Sequence, residues 1–546
     1  MYSCAFPGVS LLLLFPCPCS FVSKRFGRET RSGRIDARGQ CFAGGGGDSV
    51  ATRHTGENLA AGAETRRRRL WDATTVLSSS YLTGSNGVFL PGPVLSDYIG
   101  RGGSIIGDVN NDGVDDFVLG GTDQYAYVIF GRDWKSSSFP AEMDLSSLDG
   151  TNGFRVDGIS STHFGIECSG GGDFNKDGIA DFLIGAPNRD AGGNTNNGEL
   201  YMIFGRTSWS ATVSASALSG SDGVIFRGVG NNVYLGRGNA NAGDVNGDRI
   251  DDVFFSAYGA DQPTSSAGSV FVYFGKTIWS SPIVVNTMDG VVGFRINGEG
   301  NDDTGVEVAG NFDINNDGIK DLIFGACCYD AITNSEGRVH VFYGKSSSSF
   351  SATYSVTDID GTNGISISGV LMNGRFGTYV AGLGDVNGDG IDDFIAGAWS
   401  ANPDSVSQQG DAVVIFGSTD FSALDATDGS VDGKWSVSAF DGSNGFRFYG
   451  TAVDDKVGID VHGPGDVNGD GVNDILIGAE ADPNGMTDAG EVYLIYGRKT
   501  ASGNFAAVLR PSQLDGTNGV VFQGAAASDF LRQVGGGQGD VNKDGE

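Results

Sequence analysis

Proline is scarce, 13 residues in 546, and although glycine reaches 90 there is no strict G-X-Y period, so a collagen helix is excluded. Histidine occurs four times, at His54, His163, His340 and His462, each isolated. No G-x-S-x-G elbow, H-E-x-x-H pair or zinc-type cysteine cluster accompanies them, which removes the common hydrolase and metalloprotease motifs. Four of the seven cysteines (Cys4, Cys17, Cys19, Cys41) lie near the N-terminus. Cys168, Cys327 and Cys328 alone are too few for a disulfide framework. The adjacent Cys327 and Cys328 read as two small buried thiols at a strand end, with a vicinal disulfide as the alternative. Basic residues number 35 against 67 acidic, a net charge of −32, which excludes nucleic acid and anionic membrane surfaces as partners. The longest apolar stretch, residues 5–22, is interrupted by Pro7, Pro16 and Pro18, so no membrane span is expected.

Charge divides the chain in two. Residues 1–75 carry 11 Lys and Arg against 6 Asp and Glu, and the remainder carries 24 against 61. Residues 1–22, centred on four consecutive leucines, resemble a signal peptide and predict the secretory pathway, with an organelle-targeting segment as the alternative. Residues 23–76 are rich in Arg and Gly without apolar periodicity, which predicts a disordered pro-segment or linker. Arg66 to Arg69 form a basic run that reads as a solvated charge run or a processing site.

From Leu82 the chain repeats itself, within a domain expected over residues 77–546. A Gly-Asp-Val-Asn-x-Asp-Gly type run places its first Asp at 108, 173, 244, 313, 385, 466 and 540, at intervals of 65 to 81 residues. The repeats cover about 82–134, 148–209, 218–279, 288–350, 359–421, 440–499 and 514–546, the last stopping inside its acidic loop. Each holds a turn and strand (Asp149-Gly150-Thr151-Asn152-Gly153-Phe154), an apolar–Gly pair (Phe164-Gly165), the acidic loop with a short apolar run ending in Gly-Ala (Gly185-Ala186), and an aromatic strand closed by glycine (Leu200 to Gly205). Apolar runs of four to seven residues, β-branched and aromatic, bounded by Gly, Asn and Asp, are strand chemistry. About four strands per repeat predict an all-β fold, a seven-bladed β-propeller with an incomplete last blade behind a largely disordered leader. A linear β-solenoid ranks second, because its repeats are much shorter. Residues 74–77 resemble the segments before later turns, such as Phe505 to Leu509, and can supply one strand. Repeat seven then leaves blade edges exposed, and the expectation is a native protein running on for at least about 35 residues more.

The loops read D-x-N-x-D-x-x-x-D. Oxygen donors at positions 1, 3, 5, 7 (a backbone carbonyl) and 9 are expected from Asp108, Asn110, Asp112, Val114 and Asp116; Asp173, Asn175, Asp177, Ile179 and Asp181; Asp244, Asn246, Asp248, Ile250 and Asp252; Asp313, Asn315, Asp317, Ile319 and Asp321; Asp385, Asn387, Asp389, Ile391 and Asp393; and Asp466, Asn468, Asp470, Val472 and Asp474. Asp540, Asn542 and Asp544 begin a seventh set. Hard oxygens with three formal negative charges suit Ca²⁺, in about six complete sites and one truncated. No bidentate Glu stands at position 12 and a strand follows instead of a helix, which excludes an EF-hand. Turns alone require one or two Asp or Asn, not four spaced oxygens repeated six times. Arg249 occupies position 6 of the third loop, where the others have glycine, and is expected to weaken that site.

With these residues assembled, the repeat resembles the FG-GAP repeat of integrin α chains and related extracellular proteins, over residues 77–546. The resemblance implies a propeller with calcium in loops on one face, working at the cell surface or outside the cell in adhesion or in recognition of a protein or glycan. The integrin leg domains and membrane span have no counterpart here, so an integrin β-type partner is not implied. Carbohydrate-binding lectin and accessory propeller of a secreted hydrolase are the alternatives. No enzymatic activity is expected. Acid pairs such as Asp115-Asp116 contain loop ligands, which explains them better than glycosidase carboxylates do. Segments 192–197, 261–267 and 402–409 are the candidate ligand-binding loops.

Overall fold

The computed structural model of the chain describes residues 11–14, 74–76, 84, 87–92 and, with short gaps at 122–123, 134, 262–264, 286–287, 330–334, 348–349, 528, 533–534 and 536–538, residues 99–543. The expected leader and linker, apart from Leu11–Leu14 and Thr74–Val76, lie outside the described residues, as does Asp544.

Among the described residues, six five-stranded sheets form the fold. Blade one runs Gly102–Gly107, Asp116–Gly120, Tyr125–Ile129 and Gly153–Asp157, antiparallel throughout. Its fifth strand, Thr212–Ser214, arrives from the following repeat and pairs parallel to Gly153–Asp157. Blades two to five repeat this plan, beginning at Cys168–Gly172, Asn239–Gly243, Val308–Phe312 and Tyr379–Gly384. Blade six is Asp460–Gly465, Asp474–Ala479, Glu491–Ile495 and Gly519–Gln523, and its fifth strand is Thr74–Val76. Residues 74–76 thus fill the place that Val508–Leu509 fills in blade five and cover the outer edge of blade six.

The second and third strands of blade two, Asp181–Ala186 and Glu199–Ile203, are buried on both faces without exception, because that blade packs between blades one and three. This is why they read as unbroken apolar runs. Between blades sit aromatic stacks. The Phe154 and Trp209 rings lie 4.0 Å apart, Phe294 and Phe350 4.8 Å, and Phe446 and Phe505 4.6 Å. The Gly-Ala and apolar–Gly signatures are two sides of one contact between blades. A Cβ on Gly185 would lie 2.0 Å from the Gly236 carbonyl oxygen, so neither backbone leaves room for a side chain.

The count of seven blades is corrected to six. The repeat period counts acidic loops, whereas a blade requires paired strands. The described residues after Gln523 form no strand. Phe530 and Leu531 bond back to blade six, donating their N–H groups to the Asp488 and Ala489 carbonyls at 3.0 Å each, whereas residues 540–541 meet blade one: Arg132 donates its N–H to the Val541 carbonyl at 2.9 Å, and Asp540 donates its N–H to Asp115 Oδ2 at 2.8 Å. The strand Gly87–Leu90, which corresponds to the fourth strands of the complete blades, pairs with Leu11–Leu14 in a separate two-stranded sheet. Among the described residues no helix is long and apolar enough to cross a membrane.

Candidate metal centres and the opposite face

Each acidic loop joins the first and second strands of a blade. A register break in the first strand turns the chain into the loop in all six blades. In the second loop Asp173 accepts the Asp177 N–H on Oδ1 and the Gly178 N–H on Oδ2, both at 2.9 Å. Asp177 accepts the Ile179 N–H at 2.9 Å, and Asn175 donates its amide to Asp177 Oδ2 at 2.9 Å. Asp181 is fully buried and holds the loop from below: it accepts the Phe174 N–H and the N–H of the closing glycine, Gly205, at 2.9 Å each. A Cβ on Gly205 would lie 2.3 Å from the Ala180 carbonyl oxygen, which accounts for the glycine that ends every aromatic strand.

The position 1 and position 9 bonds recur in the loops of Asp108 to Asp116, Asp244 to Asp252, Asp313 to Asp321, Asp385 to Asp393 and Asp466 to Asp474. The structure therefore gives positions 1 and 9 the same backbone partners in every complete loop. In the seventh, Asp540 and Asn542 fall within the described residues. Burial pushes the carboxyls of Asp116, Asp181, Asp321 and Asp474 up to about 8, against opposing backbone hydrogen bonds, and moves Asp252 and Asp393 the same way.

The donor set fits a hard divalent cation. The Asn110 side-chain oxygen is buried with no hydrogen-bond partner, an orphan acceptor at position 3 that a cation would satisfy. The three carboxylates of a loop do not all approach within 4.8 Å of one another, so the amide oxygen and the position 7 carbonyl are needed to complete a sphere. Arg249 stands at φ 68°, its side chain exposed, its N–H donating to Asp244 Oδ2 at 2.7 Å. Position 4 is also left-handed in all seven loops: Asn111, Lys176, Gly247, Asn316, Gly388, Gly469 and Lys543 have φ between 56° and 78°. The recurrent Asn and Gly there carried that signal, and the two lysines hide it.

Adjacent loops touch. The residue after each closing glycine donates its N–H to the second residue of the preceding loop, as Arg206 does to Val109 at 3.0 Å and Lys276 to Phe174 at 3.1 Å. Position 8 also reaches the preceding loop: Asp251 Oδ2 accepts the Asp173 N–H, and Asp392 Oδ2 the Asp313 N–H, each at 2.9 Å.

Antiparallel strands put the second-to-third connections, and those entering the next blade, at the other end of the blades. There lie segments 192–197, 402–409 and the described part of 261–267, each joining second and third strands. Asn196 and Asn232 bond side chain to side chain at 3.1 Å, tying such a segment to the connection entering the next blade. On those entering connections Val229, Met372 and Val453 are exposed. First strands line a central channel of 770 Å³. Inside it Arg237 lies 2.5 Å from Glu167 and 3.5 Å from Glu307, and His462 lies 3.3 Å from Asp460. His340 is buried in a strand against Ser366 at 2.7 Å, a structural role.

A family model described as FG-GAP repeat matches residues 169–202 and 463–495, the acidic-loop portions of blades two and six. The chain is similar to integrin alpha pat-2 of Caenorhabditis elegans, 29% identical over 261 residues, 46% of this chain and 19% of that protein. It is 28% identical over 156 residues to integrin alpha-2 of Bos taurus, 28% of this chain and 12% of that protein. It is 31% identical over 107 residues to phosphatidylinositol-glycan-specific phospholipase D of Rattus norvegicus, 18% of this chain and 12% of that protein. The matched region spans less than a fifth of the length of each of these relatives.

Proposed function

From the premise that the chain belongs to the FG-GAP repeat family of integrin-α-like β-propellers, we propose a secreted or cell-surface, calcium-binding propeller that serves adhesion or extracellular recognition of a protein or glycan. The observation that carries the calcium assignment is the loop geometry, one pattern of carboxylate-to-backbone bonds built six times around hard oxygen donors. Recognition falls to the face opposite the loops, where the connecting segments are long and Val229, Met372 and Val453 are exposed on a rigid scaffold. No catalytic residues are assigned.

Thermal unfolding of the full chain in EDTA, Mg²⁺ and Ca²⁺ tests the metal. At free Ca²⁺ of about 100 times Kd each site adds about 2.7 kcal/mol, so the midpoint should rise strongly in Ca²⁺. Equal midpoints in EDTA and Ca²⁺ reject the assignment. The likeness to a phospholipase D favours a second reading, an accessory propeller of a secreted hydrolase, and repeated blades suit a lectin with many weak sites. A glycan array read with Ca²⁺ and with chelator separates a lectin from a protein-binding propeller.

A further inference from the structure

On the face opposite the acidic loops, the connection entering each blade crosses the segment that follows that blade's second strand. The residue two places before the glycine of the apolar–Gly pair sits at this crossing. His163, Tyr234, Asp303, Arg375 and Lys456 all hold φ between 48° and 56° there, a left-handed conformation that is strained for a non-glycine residue. Each uses its side chain to latch the crossing. His163 Nδ1 meets the Asn188 amide at 3.0 Å, Tyr234 stacks on Tyr258 at 5.2 Å, Arg375 lies over Trp399 at 5.5 Å, and Lys456 pairs with Glu480.

The fourth repeat makes the same crossing with different chemistry. Cys328 Sγ lies 3.3 Å from Asp303 Oδ2 and 3.1 Å from Cys327 Sγ. Among the described residues these three are the one set of His, Cys, Asp or Glu side chains whose ligand atoms all lie within 4.8 Å of one another. Cys327 is buried, and Cys328 and Asp303 are half-buried, so the pocket is sheltered yet reachable. Latching alone is satisfied by a neutral pair, as His163 with Asn188 demonstrates. Neighbouring Cα atoms are about 3.8 Å apart across a trans peptide, below the roughly 4.4–6.8 Å that disulfides span, so the pair is better suited to act as a dithiol than to close on itself.

Two sulfurs and a carboxylate oxygen are zinc-type donors, and three protein ligands leave a fourth position for water. Calcium takes oxygen ligands only and does not compete for sulfur. We propose that Asp303, Cys327 and Cys328 form a binding site for one thiophilic divalent cation of the zinc class, held by both thiolates and the carboxylate. On binding, two S–H bonds break, two protons pass to solvent and two metal–sulfur bonds form, with no electron transferred.

The test uses the full chain with Cys4, Cys17, Cys19, Cys41 and Cys168 replaced by serine, reduced with a phosphine and kept in saturating Ca²⁺. Cd²⁺ is the probe, read by its thiolate charge-transfer absorption and by native mass spectrometry. The expected result is one Cd²⁺ per chain, not displaced by excess Ca²⁺. Cys327→Ser and Cys328→Ser should each weaken it by more than the roughly 10–100-fold that loss of an outer-shell partner costs. Asp303→Asn, nearly isosteric, should weaken it by about tenfold. A second reading needs no variant at these positions: Zn²⁺ should slow iodoacetamide alkylation of Cys327 and Cys328. The proposal is overturned if the background protein shows no thiolate band in excess Cd²⁺, if the band survives Cys327→Ser with Cys328→Ser, if Asp303→Asn binds unchanged, or if Zn²⁺ leaves alkylation unaltered.

Discussion

Raising the pH of the metal-stripped protein should destabilise it, and calcium should reverse the loss. Asp181 is fully buried, its oxygens accept the Gly205 and Phe174 N–H groups, and burial moves its carboxyl from 3.8 to about 8. An acid with a higher pKa in the folded than in the unfolded chain stabilises the fold fully below its unfolded value. It loses that contribution as pH climbs through the folded value. The window here is about pH 4 to pH 8. Across it each such carboxyl removes about 1.4 kcal/mol per pH unit, reaching roughly 5–6 kcal/mol for the full rise from 3.8 to about 8. One group thus acts on the scale of a domain's net stability of about 5–15 kcal/mol. A cation bound in the loop compensates the buried charge, so saturating Ca²⁺ should flatten the dependence. The assay is chemical denaturation followed by circular dichroism, from pH 5 to 8.5 at fixed ionic strength, with and without Ca²⁺. The channel acids Glu167 and Glu307 are also raised by burial and add slope of the same sign. Asp181→Asn isolates the loop, since it should reduce the stripped protein's slope by about 1.4 kcal/mol per pH unit. Its amide also faces a backbone N–H, which costs about 1–3 kcal/mol at pH 5. A stripped protein equally stable at pH 5.5 and 8, or a slope unchanged in Asp181→Asn, refutes the reasoning.

Other substitutions probe the remaining contacts. Arg249→Gly relieves left-handed strain of about 1 kcal/mol, partly offset by the extra freedom of glycine in the unfolded chain, and removes a cation beside the third loop. Stability should change little while calcium binding at Asp244 to Asp252 tightens, which site-resolved titration by NMR would show. Trp209→Ala deletes the ring stacked on Phe154 and its hydrogen bond to the Val109 carbonyl at 3.3 Å, and should cost about 3–5 kcal/mol in denaturant melts. Asp251→Asn keeps an acceptor for the Asp173 N–H but removes a charge, so the second loop should bind calcium up to about tenfold more weakly, read from the Gly178 amide resonance.

The strands were legible because burial on both faces leaves a continuous apolar run, as in Phe182 to Ala186, flanked by turn residues. The loops were legible because carboxylates recur at one spacing, and the structure gives positions 1 and 9 the same partners each time. Thr212–Ser214 was not, since three residues pairing parallel at an outer edge leave no apolar pattern. Thr74–Val76 became readable as its equivalent only by likeness to the segment ending in Leu509. The crossing latches escaped for the opposite reason. His163, Tyr234, Asp303, Arg375 and Lys456 share a backbone conformation and no side-chain chemistry, so nothing in residue type repeats.

Position 8 makes the proposed calcium loops unequal in a way their shared motif conceals. It alternates between acid and non-acid: Asp115, Ala180, Asp251, Lys320, Asp392, Asn473. Each of the three aspartates turns back to the preceding loop and takes its first N–H, so the loops of Asp173, Asp313 and Asp540 each gain a carboxylate from the next blade. The loops of Asp108, Asp244 and Asp385 instead have their first carbonyl held by a backbone N–H, from Ala180, Lys320 and Asn473. A neighbouring negative charge favours a bound cation, and its hydrogen bond fixes the strand that carries the position 1 ligand. Charge and order therefore favour the second and fourth loops among the complete ones. The third has no such carboxylate and carries Arg249 besides, so its weakness has two independent causes. Substituting Arg249 removes only one of them.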